Sequence, residues 1–215
     1  MFKTIADRRV WNAGVRHLRE CDRVLAGVIA RTKHIDDMEW HRDYYGSIVQ
    51  SIIYQQISGA AGASIVRRFK ALYRGKLPTP KQFLSTKEKK VRSAGISPQK
   101  YSYLVDLCKR ILDGRLELKK FDRMDNEKII EELDEVRGIG RWTAEMFLMF
   151  SLNRPDVVPY DDLGLQKAVQ RAYGLRTRPS REKFARIAEP WQPYGTIASL
   201  YLWRSMDSGD GKRKG

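Results

Sequence analysis

The sequence predicts an all-α protein. Apolar residues recur three and four positions apart in one segment after another, and no segment alternates apolar and polar residues as a half-buried strand would. The sharpest punctuation is a Gly-x-Gly turn between two such helical runs. With 215 residues, 42% of them hydrophobic, the chain can form one large domain or two small ones sharing a core.

Taken in order, Val10 to Ala30 reads as an amphipathic helix. Asp43 to Ile57 is a second, with Tyr45, Ile48, Val49, Ile52 and Ile53 as its buried stripe. Ser58-Gly59-Ala60 interrupts it, and Ala63 to Tyr73 resumes with Ile65, Val66, Phe69 and Leu72 turned inward. Pro78-Thr79-Pro80 and Ser97-Pro98 mark helix starts, because proline suits the first helical turn. Between them lies a short basic segment, Thr86 to Ala94. Tyr101 to Leu112 is helical, and Gly114 to Leu118 makes a connection. Asp162 to Tyr173 is a helix that Gly174 ends, and Arg181 to Ala188 and Tyr194 to Met206 are two more. Ser208 to Gly215, rich in Gly and Lys, reads as a disordered tail.

Composition narrows the function classes. Lys+Arg number 41 against 26 Asp+Glu, a net charge of +15, which favours a polyanionic partner through phosphate neutralisation and counterion release. No apolar run approaches the length of a membrane span, and the stretch after Lys3, Arg8 and Arg9 lacks the apolar core of a signal peptide. A cytoplasmic or nucleoid protein is expected, or a nuclear one in a eukaryote. Two cysteines, Cys21 and Cys108, read as buried thiols of a reducing compartment and are too few for an iron–sulfur cluster. His17, His34 and His41 are scattered without ligand spacing, so no catalytic metal is expected.

Chemistry concentrates in two stretches. Ile129, Ile130, Leu133 and Val136 end one helical run, Ala144, Phe147, Leu148 and Phe150 begin the next, and Gly138-Ile139-Gly140 is too short for anything but a hairpin between them. Glycine at both ends permits positive φ and close backbone approach. Free N–H groups at the start of the second helix, with its dipole, then form a phosphate grip that reads no bases. A plain αα-hairpin is the alternative. Pro159-Tyr160-Asp161-Asp162 comes next, placing two carboxylates at a helix start, where one of them can equally be an N-cap.

Together these stretches resemble the signature of the helix-hairpin-helix DNA glycosylase superfamily: hairpin, Gly/Pro-rich segment, aspartate. Tyr54-Gln55-Gln56-Ile57-Ser58-Gly59 and Trp191-Gln192-Pro193-Tyr194-Gly195-Thr196 through Tyr201-Leu202-Trp203 extend the resemblance, over roughly residues 40 to 204, to the 3-methyladenine DNA glycosylase II (AlkA-type) branch. The resemblance implies two helical subdomains with a DNA-binding cleft between them: residues 37–155 as the central one carrying the hairpin, and 1–36 with 156–207 as the other.

It also implies roles. Counting back from Arg171 selects Asp162 as the catalytic carboxylate, with Asp161 supporting. Trp142 stands where bifunctional relatives carry the lysine that attacks the sugar, so a lyase step lacks its nucleophile. Trp142 becomes a wall of the base pocket, a core aromatic being the alternative. Tyr54 and Met146 join that pocket, and Trp203 stacks on the flipped base, an electron-rich ring suited to a cationic alkylated purine. Gln56 becomes the plug that fills the hole left by the extruded nucleotide, with Ser58 near the minor groove, although a Gln-Gln pair is also an ordinary exposed helix end. Arg137, Gly138, Ile139, Gly140 and Thr143 form the phosphate-binding hairpin, where family members also hold a monovalent cation of structural rather than chemical use. Arg67, Arg68, Lys87, Lys89, Lys90 and Arg92 include backbone contacts. Gly195-Thr196 replaces the branch's usual Arg-Ser, and Met146 replaces an aromatic, which bears on pocket shape. The implied protein is a monomeric, cofactor-free, monofunctional glycosylase removing alkylated purines from duplex DNA. Alternatives are the same fold tuned to hypoxanthine or etheno adducts, or a non-catalytic DNA-structure binder.

Overall fold

A computed structural model describes residues 4–32, 35 and 43–207. Its elements are helical: α1 (Arg8–Cys21), α2 (Arg23–Arg31), α3 (Tyr44–Tyr54), α4 (Gly59–Ala71), α5 (Pro80–Leu84), α6 (Glu88–Arg92), α7 (Pro98–Leu112), α8 (Asn126–Asp134), α9 (Arg141–Phe150), α10 (Leu163–Ala172), α11 (Arg181–Ala188) and α12 (Gly195–Asp207). Two 3₁₀ turns, Leu118–Arg123 and Glu189–Trp191, lie between them, and no strand occurs among the described residues. The expected tail at 208–215, and His34 and His41, lie outside the described residues.

The chain divides into two compact units, Met1–Trp40 with Leu148–Gly215, and His41–Phe147. The division runs through α9, before the boundary at residue 155 read from the sequence. The end of α9 packs with the C-terminal part of the chain: the Leu148 carbonyl accepts a hydrogen bond from Arg154 N at 2.9 Å, and the Phe150 ring stacks on Trp203 at 6.3 Å.

In the first unit α12 is the central element. Its residues from Gly195 to Leu202 are all buried, so it shows no polar face over that length. Leu18, Leu25, Leu165, Val169, Phe184 and Trp191 pack with it in one core. A Cβ on Gly14 would stand 2.5 Å from Ile197 Cδ1, so glycine is what lets α1 approach α12 this closely.

The single helix expected over Val10 to Ala30 is broken at Asp22. Its extended backbone (φ −143°, ψ 107°) ends α1, and its Oδ1 caps α2 by accepting from Val24 N and Leu25 N at 2.8 and 3.0 Å. Asp22 Oδ2 accepts from the Tyr173 hydroxyl and from Trp191 Nε1. Those partners lie far along the chain, so tertiary bonds override a continuous helical period. The break also corrects the reading of Cys21 as buried: at the last position of α1 it is exposed, while Cys108 is buried.

In the second unit α3, α4 and α7 surround Ile48, Ile52, Ile53, Phe69, Leu104 and Leu107, and Phe83 of α5 joins through edge contact with Phe69. α3 ends at Tyr54, before the expected Ile57. α4 begins at Gly59, before the expected Ala63, because Ser58 Oγ accepts from Ala61 N at 3.3 Å and caps it. α7 starts at Pro98 behind the cap Ser97, whose Oγ accepts from Lys100 N.

Candidate active site

Asp162 is the N-cap of α10 (φ −71°, ψ 117°). Its Oδ1 accepts from Leu165 N at 2.6 Å and from Trp203 Nε1 at 3.0 Å. The cap reading and the catalytic reading of this residue are therefore compatible. Capping fixes the carboxylate at the helix start, where the dipole also favours negative charge, and the indole fixes its rotamer from the side. Gly164 makes room: a Cβ there would stand 3.1 Å from Asp162 Oδ1 and 3.5 Å from Trp203 Nε1, crowding the bond. Leu163 beside it is 58% exposed.

The neighbouring Asp161 points elsewhere. It is exposed and pairs with Arg181 at 2.5 Å, and that guanidinium also lies over the Tyr160 ring, 5.4 Å from its centroid. Upstream, the approach to these carboxylates is braced by Gly195 and Thr196, which stand where the branch usually has Arg-Ser. Thr196, fully buried, donates from Oγ1 to the Arg154 carbonyl at 2.7 Å and accepts from Val157 N at 3.0 Å. Gly195 N donates to Asp156 Oδ1 at 3.3 Å, and a Cβ on Gly195 would meet Val158 Cγ2 at 2.5 Å. Burial raises the Asp156 carboxyl above its ordinary value, and the Gly195 N–H opposes that shift. Gly195 and Thr196 thus shape the segment leading to Asp162.

Trp203 is half-buried, its ring stacked on Phe150 with 25° between the planes. The sequence leads one to expect only a stacking surface here; the structure adds a hydrogen bond from its Nε1 to the Asp162 carboxylate.

The remaining site residues belong to the second unit. Trp142 is 47% exposed, which excludes the core-aromatic alternative. Met146 is half-buried on the same helix. Tyr54 is also half-buried and turns its ring against α4, where a Cβ on Gly62 would stand 2.5 Å from Tyr54 Cδ1.

The hairpin between α8 and α9 departs from expectation in one respect: of its two glycines, only Gly138 has positive φ (+81°). There a side chain is doubly disfavoured, since a Cβ would stand 2.1 Å from the Tyr103 ring. Gly140 has nothing within 4 Å of a built Cβ. Its backbone is ordinary, and the space beside its Cα is open. Ile139 is buried and its N–H donates to Val136 O at 3.0 Å, anchoring the turn. Arg137 N donates to Asp106 Oδ2 at 3.0 Å, and Arg141 pairs with Glu127 at 2.7 Å and Glu145 at 3.3 Å. Thr143 sits in the first turn of α9, whose leading N–H groups have no acceptor inside the helix. The Val136 and Gly138 carbonyls each accept one hydrogen bond and retain a lone pair, which fits the oxygen donors a monovalent cation takes. Among the described residues no group of three or more His, Cys, Asp or Glu could hold a metal ion.

Gln56 is exposed and has φ +57°, a left-handed backbone rarely adopted by glutamine. Ser58, two residues on, is the α4 cap. Gln55 and Lys100, which the sequence reading did not single out, surround this turn. Gln55 Nε2 donates to Gly138 O at 2.6 Å, and Lys100 Nζ donates to Ile53 O and Gln55 O at 2.7 and 2.9 Å. No local pattern marks them, because each contact spans more than 40 positions.

The fold and these elements define an all-α, helix-hairpin-helix architecture with a capped aspartate. The 3-methyladenine DNA glycosylase of Schizosaccharomyces pombe in complex with abasic DNA superposes with a TM-score of 0.78 at 28% identity, over 94% of this chain and 100% of that one. A DNA-3-methyladenine glycosidase from Bacillus halodurans gives 0.82 at 32% identity, over 91% and 89%. In sequence, DNA-3-methyladenine glycosylase 1 of S. pombe is 32% identical over 171 residues, 79% of this chain and 75% of that protein. The chain spans 59% of the length of a Bacillus subtilis relative and 57% of DNA-3-methyladenine glycosylase 2 of Escherichia coli. The profile of the HhH-GPD superfamily base excision DNA repair proteins matches residues 49–193, and the chain belongs to that superfamily.

Proposed function

We propose that this protein is a monofunctional DNA glycosylase of base excision repair that hydrolyses the N-glycosidic bond of alkylated purines, of the 3-methyladenine and 7-methylguanine kind, in duplex DNA. The observation carrying this reading is the Asp162 carboxylate, held at the start of α10 by Leu165 N and Trp203 Nε1. Alkylation at N3 or N7 makes the purine cationic. When its bond to C1′ breaks, the electron pair goes to the base, which leaves neutral, and positive charge develops on the sugar. Asp162 opposes that charge and orients a water towards C1′. The water oxygen bonds to C1′ and its proton passes to the carboxylate and then to solvent, leaving an abasic site. With Trp142 in place of an amine, the reaction stops there.

In this reading Trp142, Met146 and Tyr54 wall the base pocket. The Trp203 face opposite Phe150 takes the cationic base. Asp161 supports the site through Arg181. Gln56 fills the vacated stack with Ser58 near the minor groove. Arg137, Gly138, Ile139, Gly140 and Thr143 hold a backbone phosphate. A monovalent cation, when bound, would be held by hairpin carbonyls and supply charge to that phosphate. No cofactor enters the chemistry. The protein acts as a monomer on duplex DNA in the cytoplasm and nucleoid, or the nucleus. No described helix is long and apolar enough to cross a membrane.

The test is incubation with methylated duplex DNA, followed by chromatography of released bases. Free 3-methyladenine and 7-methylguanine are expected. Release of only hypoxanthine or an etheno base would reassign the substrate, and binding without release of any base would leave a DNA-structure binder.

A further inference from the structure

α7 touches both loops to which the proposed function assigns DNA contact. Lys100, Tyr103 and Asp106 are spaced three apart and share one face of the helix. Lys100 reaches the end of α3, donating to the Ile53 and Gln55 carbonyls. Tyr103 lies against Gly138, and Gln99 Nε2 donates to its hydroxyl at 2.7 Å, fixing the ring. Asp106 accepts from Arg137 N and is itself paired with Arg110 at 3.0 Å. Gln55 closes the circuit, its amide donating to the Gly138 carbonyl at 2.6 Å.

We propose that this face of α7, together with Gln55, is a rigid spacer that holds Gln56 in its left-handed, insertion-ready backbone at a fixed offset from the Gly138 hairpin, with Lys100 as the positioning residue. The proposal rests on the reading of Gln56 as plug and the hairpin as phosphate grip.

The physical case begins with φ +57° at Gln56. A non-glycine residue persists there only where its surroundings over-determine it. Carbonyls at the end of a helix lack intrahelical donors, and here an ammonium bonds two of them, one on each side of Tyr54. The same turn is tied through Gln55 to the glycine whose own φ is +81°. Lys100 is half-buried, and desolvation lowers its pKa below the ordinary lysine value. That burial is a cost a merely solvated lysine would not bear. Gripping the phosphate through the hairpin then sets where the plug enters the stack, and the plug need not be ordered at the moment of flipping.

A double-mutant cycle tests this with single-turnover excision of one lesion, paired normally and mispaired. Lys100→Met keeps the stem and removes the donors. It should slow excision from the paired duplex on the order of tenfold, and less from the mispaired one, where extrusion is easier. Lys100→Arg should recover part of the rate. On a Gln56→Ala background Lys100→Met should cost nothing further, because its action runs through Gln56. Gln55→Met, which leaves the Lys100 bonds in place, should show the same pattern and supplies the answer if Lys100→Met fails to fold. Losses that multiply in the double variant, or equal losses on paired and mispaired substrate, would overturn the spacer while leaving the plug intact. No loss for Gln56→Ala alone would remove the plug reading, and the spacer with it.

Discussion

If Asp162 is the catalytic carboxylate proposed above, Asp162→Asn should separate catalysis from architecture in this protein. Asparagine keeps the shape and is as good an N-cap as aspartate, so its Oδ1 can still accept from Leu165 N and Trp203 Nε1. Two charge-assisted bonds become neutral ones, a loss of about 1 kcal/mol of stability for a half-buried group. The catalytic loss is larger. A carboxylate about 4 Å from a developing sugar cation, at an effective dielectric of about 20, contributes about 4 kcal/mol, roughly a thousandfold in rate. Asp161→Asn instead removes an exposed ion pair to Arg181 and should cost under about 1 kcal/mol of stability, with excision within a few-fold of wild type. The assay is single-turnover release of 3-methyladenine or 7-methylguanine, read beside urea denaturation and binding to undamaged duplex. A thousandfold slower Asp162→Asn protein that still folds and binds is the expected outcome. Release by that variant at the wild-type rate would refute the assignment of the carboxylate, and a thousandfold loss in Asp161→Asn would transfer the role to its neighbour.

Other consequences can be checked separately. Trp203→Phe retains a ring against Phe150 but loses the N–H to Asp162, so excision should fall roughly tenfold with binding to undamaged DNA unchanged; an unchanged rate would limit Trp203 to packing. Gly138→Ala meets both a positive φ and the Tyr103 ring and should destabilise by about 2 kcal/mol or more. Gly140→Ala has open space and should fold within about 1 kcal/mol of wild type yet bind every duplex more weakly; thermal melts and titrations at several salt concentrations distinguish the two glycines, and wild-type binding should itself fall steeply with salt. Thr196→Val leaves the Arg154 carbonyl and the Val157 N–H without their side-chain partner inside the core, at about 2–3 kcal/mol by denaturation. Borohydride should trap no covalent adduct on abasic DNA, and a trapped complex would show that an amine other than one at position 142 acts.

Much of this protein was legible in the sequence because the features concerned are local. Helical period, proline and glycine punctuation, and caps such as Ser97 and Ser58 depend on neighbours within a few positions, and they predicted an all-α chain and most of its helices. The hairpin and the Asp161–Asp162 pair were legible for the same reason. Properties set by distant partners were not. Asp22 breaks a continuous amphipathic pattern because Tyr173 and Trp191 bond its second oxygen. Asp161 and Asp162 are chemically identical in the sequence, and only the fold turns one towards Arg181 and the other towards Trp203. Gly138 and Gly140 look alike, but Tyr103 lies against one and nothing against the other. Gln56 carries no sequence signal of a left-handed backbone, because glutamine has no intrinsic preference for it. Lys100, Gln55 and the hairpin, brought together from separate segments, surround that turn. A sequence displays what neighbours along the chain impose on one another, and the tertiary structure decided which distant side chains hold the Asp162 carboxylate and the turn at Gln56 in place.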